Sequence, residues 1–150
     1  MSLMTKPPAV TRDALEAKLR GSPFQQSLGL SLEQFDAAAQ TLSLRAAYGP
    51  QVERAVGTGQ YHGGVIASLI DIAGDFALIA VLGYAVPTIN FRVDYLRPAR
   101  LETLDARAHV VRQGNRVGVV DVVIFHPSTA TETIATGKAV YNIVVTRAPS

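Results

Sequence analysis

A glycine pair and a carboxylate stand eight residues apart in the stretch Tyr61-His62-Gly63-Gly64-Val65-Ile66-Ala67-Ser68-Leu69-Ile70-Asp71, counted from Gly63 to Asp71. The glycines open a long apolar run and Asp71 is the first charge inside it. In the first turn of a helix, backbone N–H groups lack intrahelical partners and the macrodipole presents its positive end. That arrangement suits a carbonyl that gains negative charge. Asp71, inside the same helix, is then a candidate acid, base or nucleophile. Burying a carboxylate among Val, Ile, Ala and Leu costs several kcal/mol unless it is paired or solvated, so a carboxylate kept there points to a use.

The other candidate groups carry less chemistry. Asp75 lies one helical turn beyond Asp71 on the same face, where like charges disfavour each other and raise a carboxyl pKa. His62 either polarises the carbonyl or fixes the loop at the helix start. His109 and His126 show no ligand-like spacing to carboxylates, so no metal site is expected. There is no cysteine, hence neither a disulfide framework nor a thiol nucleophile.

These groups need a scaffold, and 150 residues suit a single core. We read residues 1–23 as an N-terminal segment with a short helix and 24–150 as one domain. A composition 48% hydrophobic and 17% charged excludes disorder and predicts an oligomer that hides the surplus apolar surface. A net charge of +2, without a basic run interleaved with aromatics, argues against nucleic acid. The start, Met1-Ser2-Leu3-Met4-Thr5-Lys6-Pro7-Pro8, lacks the basic region and apolar core of a secretory signal, so a cytoplasmic location is expected. Val65 to Val86 is long enough to cross a bilayer, but Asp71 and Asp75 near its centre favour a buried core helix over a membrane span.

Thr11 to Arg20 reads as an amphipathic helix with Thr11 as N-cap and Gly21 as its stop. Gly29 to Asp36 and Gln40 to Ala47 alternate as a hairpin, and Tyr48 to Tyr61 forms a loop into the glycine pair. A helix follows from His62 to about Leu82. Strands are expected at Pro87 to Arg97 and Glu102 to Gln113, with two more between Arg116 and Asn142. Gly114-Asn115 signals a two-residue primed turn. In the first of these strands Ile89, Phe91, Val93 and Tyr95 share one face, expected to pack on the helix, and Thr88, Asn90, Arg92 and Asp94 share the other. The order gives an α+β domain in which a curved antiparallel sheet wraps one long helix.

The His62-Gly63-Gly64 opening, Asp71, and the strand Phe91-Arg92-Val93-Asp94-Tyr95-Leu96-Arg97-Pro98 together resemble the hotdog-fold acyl-CoA thioesterases of the phenylacetate-degradation, PaaI-like type, over roughly Phe24 to Val145. The resemblance implies a hotdog fold and a homodimer whose sheets join edge to edge, commonly a dimer of dimers. It also implies hydrolysis of an acyl-CoA thioester without metal or added cofactor. By the same resemblance Gly63 polarises the thioester carbonyl, Asp71 attacks or activates water, and Thr88 helps place the water. Gly64, Gln60, Tyr95, Arg97, Arg100, Asn115, Arg116 and Lys138 fall in substrate-holding regions. The chain departs from the family where an Asn often stands six or seven residues before the His. Val56 and Ala55 occupy those positions here, and Gln60 is the available substitute.

Helix geometry adds a constraint of its own. Eight residues at about 1.5 Å rise separate Gly63 from Asp71 by about 12 Å, and even a leaning side chain leaves about 8–10 Å. A nucleophile must come within about 3–3.5 Å of the carbonyl carbon. The simplest solution pairs Gly63 of one subunit with Asp71 of its partner across a two-fold axis. The competing function is a non-catalytic acyl-CoA binding or sensor module on the same scaffold. A hydratase lacks its His–Asp or His–Glu arrangement here.

Overall fold

The computed structural model describes residues 10–145, so the reading of Met1 to Pro8 lies outside the described residues. Helix α1 (Arg12–Arg20) starts where Thr11 accepts the Ala14 amide on its side chain and stops at Gly21. A short helix α2 (Pro23–Ser27) follows, capped by Ser22 and contributing no buried residue. Strands β1 (Leu30–Asp36) and β2 (Thr41–Ala46) form the expected hairpin.

The long helix α3 (Gly63–Leu82) is apolar on nearly every side, the pattern of a helix enclosed by protein. It is long and apolar enough to cross a membrane, yet most of its surface packs on β2, β4 (Leu104–Gln113), β5 (Val117–Phe125) and β6 (Thr133–Asn142). Ile70 and Leu78 are fully buried, each such side chain contributing about 1.5–3 kcal/mol. The facing strands supply small residues, Ala106, Ala108, Ala135, Gly137 and Ala139, which let the sheet close round the helix. At Gly137 a β-carbon would stand 2.4 Å from the Ile70 side chain, so glycine is what admits the contact. Gly83 ends α3 with a φ of 88°, left-handed backbone that glycine adopts without strain.

The six strands form one antiparallel sheet in the order β1-β2-β4-β5-β6-β3, with β3 spanning Thr88–Tyr95. Its two edges differ. Arg12 of α1 donates from its guanidinium to the Leu32 and Glu33 carbonyls, covering part of the β1 edge. Among the described residues strand β3 bonds to β6 alone and leaves Ile89, Phe91, Tyr95 and the following Leu96 exposed.

Two expectations are corrected. The four residues Ile89, Phe91, Val93 and Tyr95 do not all pack on the helix. A register shift between Thr88 and Asn90 breaks the alternation, so Thr88 stands opposite buried Tyr141, on the helix side. Phe91, Val93 and Tyr95 lie opposite Ala139, Gly137 and Ala135 on that side, but of these only Val93 joins the core. The Gly114-Asn115 turn is not of the primed kind: neither residue has positive φ, and the Gly114 amide bonds the Val117 carbonyl at 3.0 Å, moving the turn to Asn115-Arg116.

Candidate active site

Everything at the start of α3 is arranged around one free amide. His62 sits at the N-cap in extended backbone and its Nδ1 accepts the Gly64 amide at 2.8 Å. The Val65 amide bonds the His62 carbonyl at 3.0 Å. The Gly63 amide between them donates to no protein acceptor among the described residues. With Nδ1 an acceptor, the neutral imidazole carries its proton on Nε2. Of the two roles read for His62, the structure supplies the contact for fixing the helix start.

The loop before Gly63 is held against the β3–β4 connection. The Tyr61 amide donates to the Ala99 carbonyl at 2.9 Å, and Gln60 bridges to Arg100. Buried His126 pins that connection: its Nε2 accepts the Arg100 amide at 3.1 Å and its Nδ1 lies 3.0 Å from the Thr103 carbonyl. Tyr95 at the end of β3 donates its hydroxyl to the Gly63 carbonyl at 2.7 Å, locking strand to helix start.

A groove of about 360 Å³ results, lined by Arg54, Gln60, Gly63, Tyr95 and Arg97 among others. Among the described residues neither Arg54 nor Arg97 meets a carboxylate, so the groove is cationic. The sequence carries no signal for Arg54, since an isolated arginine in a loop looks like solvated surface. Gln60 stands beside Gly63, whereas Ala55 and Val56 do not line the groove.

Asp71 occupies a second position, further along α3. Thr88 donates its hydroxyl to Asp71 Oδ1 at 2.7 Å, a contact that the bulge in β3 makes geometrically possible. Tyr141 donates to the Asp71 backbone carbonyl at 2.6 Å. It reaches across Gly74, where a β-carbon would stand 2.2 Å from the tyrosine hydroxyl. Burial, with Asp71 and Asp75 adding negative charge nearby, pushes the Tyr141 hydroxyl pKa up, so it stays a donor. Neither Tyr141 nor Gly74 carries a local sequence signal, because only the tertiary fold brings β6 over this turn of the helix.

Asp75 accepts the Val86 amide at 3.3 Å, just upstream of Thr88. Burial raises its pKa to about 6 against the lowering by that bond, and the neighbouring Asp71 charge raises it further. Arg100 pairs with Glu102, and Lys138 pairs with Asp121 in an outward-facing groove with Arg92 and Asp94, away from the helix. Asn115 and Arg116 form the β4–β5 turn at the Thr88 end of the sheet, since Gly118 and Thr88 both lie opposite Tyr141.

One chain therefore gathers Gln60, Gly63, Tyr95 and Arg97 at one end of β3, and Asp71, Thr88 and Asp75 at the other. Helix α3 runs unbroken between them, keeping Gly63 and Asp71 about 12 Å apart along its axis. Among the described residues no group of three or more His, Cys, Asp or Glu is placed to hold a metal ion.

Residues 58–133 match the family model of the thioesterase superfamily. The chain is 38% identical over 118 residues to a Halobacterium salinarum protein bearing an esterase designation, covering 75% of this chain and 76% of that one. It is 31% identical over 115 residues to the medium/long-chain acyl-CoA thioesterase YigI of Salmonella typhimurium, covering 67% and 73%. The solved structure of the E. coli PaaI protein from the phenylacetic acid degradation operon superposes with a TM-score of 0.74 at 25% identity, covering 86% of this chain and 89% of that chain.

Proposed function

This chain belongs to the thioesterase superfamily, with the hotdog fold of its PaaI-like members, and we propose that it hydrolyses an acyl-CoA thioester at a site shared by two subunits. The observation that carries the reading is the division of the machinery between the ends of β3. Gly63 is bonded through its carbonyl to Tyr95 at one end, and Asp71 through its side chain to Thr88 at the other.

The β3 edge, unpaired among the described residues, supports a homodimer. Two copies pairing there about a two-fold axis run antiparallel, so the Thr88 end of each meets the Tyr95 end of the other. Asp71 of the partner subunit then approaches the Gly63 amide, and the exposed apolar residues of β3 are covered. The same operation brings the partner's Asn115-Arg116 turn toward the groove of Arg54 and Arg97, giving cations from both chains for the coenzyme A phosphates. Lys138, on the outer face, stands apart from this path.

In the reaction the Gly63 N–H binds the carbonyl oxygen as it becomes an oxyanion. Asp71 either attacks the carbonyl carbon or takes a proton from a water that does; Thr88 orients the carboxylate, leaving its other oxygen for the reaction. The C–S bond breaks and coenzyme A departs as a thiolate, which needs no strong general acid; on the route of direct attack, water then hydrolyses the acyl–aspartyl anhydride to the free acid and restores the carboxylate. Asp71→Asn is expected to abolish most free-thiol release from acyl-CoA while the oligomer persists. Undiminished release overturns the reading, and tight acyl-CoA binding by the wild type without turnover replaces it with a binding or sensor module.

A further inference from the structure

Two grooves of opposite chemistry meet at the start of α3. The cationic one runs past Gly63 on the side of Tyr95 and Arg97. The other, of about 320 Å³, lies on the opposite flank, and its wall includes His62 and Gly64, the residues on either side of the free Gly63 amide. Phe24 and Leu28, from α2 and its C-cap, and Val65 give it an apolar lining; Ser27, Gln51 and Ser68 are its other polar members. Among the described residues no Asp, Glu, Lys or Arg lines it, and His62 turns Nδ1 to the Gly64 amide as an acceptor.

We propose that this second groove receives the acyl group, that it selects uncharged acyl groups of short to medium length, and that Phe24 and Val65 set the length accepted. The inference rests on the thioesterase reading above and adds the direction in which the substrate lies. A coenzyme A ester has an anionic end and an acyl end with the thioester between them. With the carbonyl held at Gly63, the phosphates go to the arginine side, and the acyl chain is left the flank lined by Phe24, Leu28 and Val65.

The lining fits that occupant. A volume of about 320 Å³ is at the small end of ligand pockets, which run from roughly 300 to 1,000 Å³. The wall that this chain supplies has room for one aromatic ring or a modest alkyl chain. An acyl group ending in a carboxylate would leave its charge against Phe24 and Val65 with no cation to meet it. Phe24 is 55% exposed and α2 buries nothing, so the core does not explain this aromatic side chain. Its position over the groove does.

The test is free-thiol release by wild type, Phe24→Trp, Phe24→Ala and Val65→Phe across acetyl-, butyryl-, octanoyl-, lauroyl- and palmitoyl-CoA, with succinyl- and phenylacetyl-CoA. The bulkier Phe24→Trp and Val65→Phe are expected to lower kcat/KM for octanoyl-CoA at least tenfold relative to acetyl-CoA. Phe24→Ala is expected to move the optimum to longer chains, and succinyl-CoA to be turned over at least tenfold less well than butyryl-CoA. Chain-length profiles that superimpose on the wild type in all three variants overturn the assignment of the groove, as does efficient succinyl-CoA hydrolysis. No thiol release by the wild type from any ester overturns the parent reading instead, so the two failures are distinct.

Discussion

Thr88 Oγ1 lies 2.7 Å from Asp71 Oδ1 and donates to it, across an interval of 17 residues in sequence. The contact joins the start of the edge strand to the middle of the core helix. It exists because a bulge turns Thr88 toward the helix while Asn90 and Arg92 keep the opposite orientation. A hydroxyl bonded to one carboxylate oxygen fixes the rotamer and leaves the second oxygen available, which is what a nucleophile or general base requires.

Thr88→Val removes that donor and keeps the β-branched shape. A hydrogen bond to a charged group contributes about 1.5–3 kcal/mol, so kcat is expected to fall about 10- to 100-fold with little change in KM. Thr88→Ser restores most of it. Steady-state kinetics on one acyl-CoA check this; equal activity in Thr88→Val leaves the contact without a catalytic role.

Asp75 gives a pH-dependent prediction. Its folded pKa of about 6 lies above the ordinary 3.8 because burial disfavours the charged form. The fold thus favours the neutral acid: the stabilisation from this group is full below the unfolded value and is lost as pH rises through about 6. Asp75→Asn, which keeps an acceptor for the Val86 amide, is expected to be more stable than wild type at pH 7.5 by roughly 1–2 kcal/mol after allowing for partial solvent access. The gain should vanish near pH 4. Thermal unfolding at the two pH values measures it, and a loss of stability at pH 7.5 contradicts the sign.

Tyr95→Phe separates the strand from the helix start by deleting the hydroxyl that bonds the Gly63 carbonyl. The lost bond is worth about 0.5–1.5 kcal/mol. Because the bond positions Gly63, kcat/KM is expected to drop about 3- to 10-fold while melting shifts by only a few degrees. Activity unchanged alongside the melting shift confines Tyr95 to a structural role.

Arg97 is expected to act on the nucleotide end of the substrate. Arg97→Ala should raise KM for an acyl-CoA about tenfold and leave KM for the matching S-acyl pantetheine, which lacks the phosphates, nearly unchanged. An equal effect on both esters places Arg97 elsewhere in the mechanism.

The sequence carried much of this architecture in its local patterns. The apolar run after Gly64 forecasts α3 because nearly every side of the helix is enclosed, and alternating leucines forecast the β1–β2 hairpin. Strict alternation puts Thr88 on the outer face because it contains no bulge; the register shift depends on pairing with β6, remote in sequence. Tyr141 and Gly74 act together although neither carries a local signal, since one hydroxyl crosses where one β-carbon is missing. Asp71 and Gly63 were legible as a pair, and their separation followed from helix rise alone.

The shared site is tested most directly by mixing two inactive variants. Gly63→Pro deletes the amide N–H at a first-turn position where proline is well tolerated, and the extended backbone of His62 already suits a following proline. Asp71→Asn disables the other half. Unfolded together in equal amounts and refolded, they should recover about a quarter of wild-type activity. Half of the random dimers are then mixed, and each of these has one of its two sites intact. Mixtures no more active than the two variants refolded separately, with subunit exchange demonstrated, would contradict a site built from both chains.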